Sequence, residues 1–178
     1  MIAHQLSDKL LVADDFLDDA SCELLTCQFA PEPHVPIQNL YHEQVQDPSA
    51  SQLVASLEKA AVAACSRFYE TDLVHETSIL IRLNRGGGHP LHADAERLID
   101  GRWEPNHTPN RRCAAIIFLN SLPFGRLQLP NQGLAIEPKT GLMVCFPSHA
   151  RWQHGVVPLR RPGPRDTLSI WMTCGAST

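Results

Sequence analysis

Residues 78–83, 113–119, 126–129, 134–136, 142–146, 154–158 and 167–173 are short runs of β-forming residues, each cut off by a Gly, Pro or Asn turn. No run is long enough to bury much apolar surface alone, so strands of this kind must pair into two facing sheets, as in a sandwich or jelly roll. Two helical segments precede all of them. Helices first and strands afterwards place the helices on the outside of a β-core, because alternating βαβ units would interleave the two.

The first half supplies those helices. A short apolar run at 9–12 reads as a strand, and residues 18–29 follow as a helix with Cys22, Leu25 and Phe29 at helical spacing behind acidic first-turn residues. Residues 30–47 hold Pro31, Pro33 and Pro36 without periodicity and read as a wrapped loop. Ser49 or Ser51 then caps a helix running to about Tyr69, with Leu53, Leu57, Ala60 or Ala61, Ala64 and Phe68 on the face toward the sheet. The expectation is a mainly β fold with flanking helices in a single domain over 1–178, its β-core at about 77–174.

Composition narrows the setting. At 178 residues with 43% hydrophobic and 19% charged content, the chain suits one globular core rather than a disordered or fibrous segment. Its longest apolar stretches, 60–65 and 113–119, fall far short of the roughly 18 residues of a spanning helix, so no membrane association is expected. The opening MIAHQLSDKL lacks a basic segment followed by an apolar run, and the six cysteines are scattered without a Cys-x-x-Cys pair. Reduced core thiols and a cytoplasmic location are the expectation, and a cysteine-built zinc site is not. Residues 1–76 carry 13 acids against 3 bases, whereas residues 77–178 carry 6 against 12, eleven of them arginine. Without a dense Lys/Arg tract this does not read as nucleic-acid binding; arginine forks suit a carboxylate or phosphate instead.

Candidate chemistry starts at His92-Ala93-Asp94. In extended backbone, side chains two apart point to one side, so both can face one cation, although such a triplet occurs by chance about half the time. His154, 62 residues on at the head of a β-run, supplies a third ligand. Two histidines and one carboxylate form the facial triad that suits non-haem Fe(II), whereas zinc prefers four-coordinate sites. Arg165 follows His154 by eleven residues at the start of the last β-run, with Thr167 two further on and pointing the same way. A guanidinium fork and a hydroxyl so placed would anchor a dicarboxylate. Residues 95–112, polar and containing Gly101, Pro105 and Pro109, form a candidate lid. Arg82, Arg85, Arg97 and Trp103 flank the metal motif and are candidates to hold an anionic or zwitterionic substrate.

Taken in order, His92-x-Asp94, RRCAAIIFLN at 111–120, Ile136-Glu137-Pro138, 141–146, HGVVP at 154–158 and RDTLSIW at 165–171 resemble the Fe(II)/2-oxoglutarate dioxygenases of the prolyl 4-hydroxylase-like group. The resemblance covers roughly residues 78–173, and LLVADDFLDDASCELL is similar to the family's N-terminal strand and helix. It implies a double-stranded β-helix (jelly roll) supported by two N-terminal helices, with His92, Asp94 and His154 on iron and Arg165 on the distal carboxylate of 2-oxoglutarate. It further implies an oxygenase that uses O2, releases succinate and CO2, and hydroxylates an unactivated C–H, with ascorbate stimulatory. A small-molecule, amino-acid or short peptidyl substrate is expected, and a monomer or homodimer. The chain departs from the family in three places: Leu83 and Arg82 stand where a tyrosine usually precedes the first iron histidine, Phe118 stands where many relatives carry another, and Phe124-Gly125-Arg126 replaces the family's Gly-Gly step. The alternatives are a metal-binding jelly-roll sensor without turnover and a cupin-like metalloenzyme using zinc or manganese; neither would release succinate.

Overall fold

The computed structural model describes residues 2–7 and 9–175. In chain order these form β1 (Ile2–Ser7), β2 (Leu10–Asp14), α1 (Asp19–Thr26), β3 (Ile37–Tyr41), α2 (Pro48–Tyr69), β4 (Leu73–Leu83), β5 (His89–His92), β6 (Glu96–Ile99) and β7 (Arg102–Pro105). They continue with β8 (Arg111–Phe118), β9 (Leu127–Leu129), β10 (Leu134–Ile136), β11 (Met143–Pro147), β12 (His154–Val156) and β13 (Arg165–Cys174). A seven-stranded sheet in the order β1-β2-β11-β8-β13-β4-β3 faces a four-stranded one, β10-β9-β12-β5, while β6 and β7 form a separate ribbon. This is the expected double-stranded β-helix, with both helices outside it. Among the described residues no helix is long and apolar enough to cross a membrane.

Period-two alternation on the larger sheet writes two cores into one set of strands. Leu11 and Ala13 of β2, Cys113, Ala115 and Ile117 of β8, Met143 and Cys145 of β11, and Leu168, Ile170 and Met172 of β13 face the helices. The intervening Leu10, Val12, Ala114, Ile116, Phe118, Val144 and Phe146 face the smaller sheet. On β13 the inward positions are Arg165, Thr167, Ser169 and Trp171, so one strand carries both core and chemistry.

The helices pack as expected, with small shifts. Asp18 caps α1, accepting from Ser21 N at 2.8 Å. The cap of α2 is Asp47, which accepts from Ala50 N at 2.9 Å with Pro48 in the first turn, and neither Ser49 nor Ser51 is the cap. Its buried stripe is Ala50, Val54, Leu57, Ala61 and Cys65, with Leu53, Ala64 and Phe68 at the margins.

Two loops of the sequence reading are strands. Within 30–47, β3 pairs antiparallel with β4 as the edge of the larger sheet; edge strands need only one apolar face and one partner, so their periodicity is weak. Within 95–112, β6 and β7 pair with Ile99 opposite Arg102. Asp100 and Gly101 turn that corner with φ of 49° and 78°, the left-handed pair that an Asp-Gly hairpin turn requires.

Candidate metal centre and anion site

On the smaller sheet His154 of β12 lies opposite His92 of β5, ring centroids 4.4 Å apart. Each imidazole donates its Nδ1–H to the carbonyl two residues earlier, His154 to Trp152 O at 3.2 Å and His92 to Pro90 O at 2.8 Å. That assignment of the tautomer leaves both Nε2 lone pairs facing Asp94, at 3.8 Å from its two oxygens. Burial pushes the His154 pKa down to about 4, so the ring is neutral and able to ligate at pH 7. Asp94 itself lies beyond the end of β5. Its carbonyl accepts from Asn106 Nδ2 at 3.0 Å and Thr108 Oγ1 at 2.7 Å, so the segment after β7, rather than extended backbone, aims the carboxylate.

One ligand atom from each of His92, Asp94 and His154 lies within 4.8 Å of the others. Asp94 Oδ2 is buried without a hydrogen-bond partner. A dry carboxylate oxygen facing two imidazole lone pairs is a cluster of acceptors, which a cation satisfies. The donor set fits Fe(II).

The two imidazoles border a cavity of about 200 Å³ between the sheets, whose wall includes Arg165, Thr167, Ser169 and Trp171 in alternation along β13. Arg165 is 2% exposed. Its Nε donates to Gly125 O at 2.8 Å, its guanidinium carbon sits 5.0 Å from the Phe118 ring centre, and its Nη2 has no partner. Gly125, at φ 68°, is there because a Cβ would come within 3.1 Å of Arg165 Cδ and 3.0 Å of Leu159. Burial lowers the Arg165 pKa to about 10, which still leaves the group charged at pH 7. A buried cation with an orphan donor and no facing carboxylate calls for an anionic ligand. The residues present therefore fit a dicarboxylate as well as they fit the metal.

Of the sequence candidates, His92, Asp94, His154, Arg165 and Thr167 converge on this space. The substrate candidates do not. Arg82 lies between inward Ile81 and Leu83 and so points to the helix side, where it binds Asp166 through Nε at 2.8 Å and Nη2 at 2.7 Å, donates to Thr26 O, and covers the Phe29 ring. Arg85 is exposed in the turn after β4, and Arg97 and Trp103 are on the ribbon, with Trp103 36% exposed; none of the three lines the cavity. Of the residues corresponding to the family's tyrosines, Leu83 is core and Phe118 is the apolar floor beneath Arg165. Cavity residues not picked out from sequence are His89, Ser169, Trp171 and Asn39. Alternation from Arg165 would have found Ser169 and Trp171.

The model of the 2OG-Fe(II) oxygenase superfamily matches residues 78–173. No curated protein sequence matches the chain significantly. Among solved structures, the viral collagen prolyl hydroxylase of Paramecium Bursaria Chlorella virus-1, in its 2OG complex, superimposes with a TM-score of 0.72 at 15% identity, covering 94% of this chain and 96% of that one. HygX from Streptomyces hygroscopicus, with nickel, 2-oxoglutarate and hygromycin B bound, gives 0.70 at 13% identity over 96% and 84%. A Pseudomonas putida prolyl-4-hydroxylase gives 0.64 at 18% identity over 94% of each chain. A candidate metal triad and a buried lone guanidinium at one cavity of a double-stranded β-helix thus coincide with the matched segment, and the chain belongs to the 2OG-Fe(II) oxygenase superfamily, as an enzyme that uses Fe(II) and 2-oxoglutarate.

Proposed function

We propose that the protein hydroxylates an unactivated C–H bond of an amino acid, a small metabolite or a short peptide segment. The observation that carries this reading is the shared cavity: a cation site and an anion site face one small space, the pairing that a metal and a 2-oxo dicarboxylate require. His92, Asp94 and His154 hold the metal, and Arg165 with Thr167 holds the distal carboxylate. When bound, Fe(II) and 2-oxoglutarate supply oxidation of the C–H by O2, with succinate and CO2 as coproducts. Ile79, Ile116 and Leu127 on the cavity wall keep water out, and the β6–β7 ribbon, tethered beside Asp94, is placed to cover a substrate. Structures similar in fold carry a peptide fragment in one case and hygromycin B in another, which supports leaving both substrate sizes open. Six free thiols favour a reducing, cytoplasmic setting. The test is succinate release from 2-oxoglutarate with Fe(II), ascorbate and O2: slow turnover without substrate is expected, and none from the wild-type protein would overturn the reading in favour of a non-catalytic metal-binding domain.

A further inference from the structure

We infer that His89 is a third binding group for the cosubstrate, donating from Nε2 into the cavity beside Arg165; this rests on the reading above that a 2-oxo dicarboxylate occupies that space. The backbone first explains why a histidine there faces inward at all. His154 pairs with His92 and Val156 with His89, so Gly155 alone opposes both Pro90 and Leu91. That extra residue is a β-bulge. Without it, residues three apart would point to opposite faces of the sheet; with it, His89 and His92 both face the cavity, ring centroids 6.4 Å apart. Glycine at 155 permits it, since a Cβ would lie 2.7 Å from His89 O and 3.1 Å from Leu91 N.

His89 Nε2 is buried and has no hydrogen-bond partner. A desolvated imidazole nitrogen is costly unless a ligand pairs with it. The same cavity holds the orphan Nη2 of Arg165, and its lining residues include no carboxylate. With Trp171 Nε1, also buried without a partner on the same wall, three unpaired nitrogens surround one space, and a bound molecule bearing acceptor oxygens would pair with them. His89 stands outside the cluster of His92, Asp94 and His154, so the metal does not account for it. Burial, with His92 and Arg165 nearby, keeps the imidazole neutral, which suits a single N–H donated to a carboxylate or oxo oxygen.

The test is calorimetric titration of 2-oxoglutarate into Fe(II)-loaded protein under nitrogen, so that binding is read without turnover. His89→Phe should weaken binding by about tenfold to a hundredfold, the range for a lost hydrogen bond to a charged group. His89→Gln, which retains an N–H, should lose less than about fivefold, and metal content should match wild type in both. His89→Leu serves in place of the phenyl variant if the larger ring disturbs the bulge. Wild-type affinity in the apolar variant overturns the inference, as does equal weakening in the apolar and Gln variants, which would mark ring packing rather than the N–H. If Arg165→Leu also binds as wild type does, the cosubstrate site itself is misplaced; if Arg165→Leu is weak while the apolar His89 variant is not, the role of His89 alone falls.

Discussion

Arg165 and Asp166 are consecutive on β13 and face opposite sides of the larger sheet: Asp166 is paired with Arg82 beneath the helices, while Arg165 enters the cavity with one donor unpaired. The nearest carboxylate in sequence thus cannot satisfy the guanidinium, whose charge is left for a ligand. Arg165→Leu should raise the dissociation constant of 2-oxoglutarate by about a hundredfold or more, since the buried carboxylate loses its charge-assisted partner. Thr167→Val should cost only several-fold, as a neutral bond contributes about 0.5–1.5 kcal/mol. Anaerobic calorimetry measures both, and an unchanged Arg165→Leu protein would place the anchor elsewhere.

His92→Ala, Asp94→Ala and His154→Ala should each lose Fe(II) while remaining folded, because each removes one of three protein ligands. Elemental analysis after gel filtration reads the metal, and circular dichroism reads the fold. Full iron occupancy in the His154 variant would break the triad assignment.

For Arg82 the structure reverses the sequence expectation from substrate to stability. Asp166 is 1% exposed at its side chain, so Arg82→Met would strand a buried carboxylate, at a cost of about 3–5 kcal/mol. Chemical denaturation should show that loss, while 2-oxoglutarate affinity of the folded variant stays at the wild-type value. A change in affinity without a change in stability would return Arg82 to the cavity.

The ribbon makes a separate prediction. Leu98 stands opposite Trp103 across β6 and β7, and both are exposed, Leu98 at 58%. Trp103→Ala should abolish oxidation of substrate while substrate-free succinate formation persists, because other residues hold metal and cosubstrate, whereas Arg97→Ala, on the opposite face of the ribbon, should leave both activities at the wild-type level. Equal loss of both activities in the Trp103 variant, or of neither, would leave the ribbon without a substrate role.

How much of this the sequence revealed depends on the range of the signal. That His92 and His154 meet across β5 and β12, and that Arg165 and Thr167 share one face of β13, follows from strand pairing and alternation, whereas Asp94 is set by a contact with the segment after β7 that no local pattern encodes. The Asp100-Gly101 turn was equally legible as a hairpin, yet the polarity of its flanks disguised two strands that rest on no core. His89 was hidden: its inward direction depends on a bulge, which is a relation between Gly155 and a strand over sixty residues away rather than a local preference. Arg82 lies near the metal motif along the chain, but strand parity places it with outward Leu80 rather than inward Ile81, so it faces the helices.

The separation of the two cores bears on how long such an enzyme survives its own chemistry. Cys22, Cys65, Cys113, Cys145, Met143 and Met172 all belong to the helix-side core, and the residues that border the cavity include neither cysteine nor methionine. Sulfur is the protein matter most easily oxidised, and a full sheet of backbone stands between it and the place where oxygen is activated. In idle cycles without substrate, damage should therefore fall on the rings of the cavity wall, the Trp171 indole and the imidazoles of His89, His92 and His154; peptide mass spectrometry should find added oxygen there before it finds any on the buried thiols. Ile116→Met, which puts sulfur on the reactive side of the same strand, should shorten the working life of the enzyme without altering its fold, so that strand parity serves here as a form of corrosion protection.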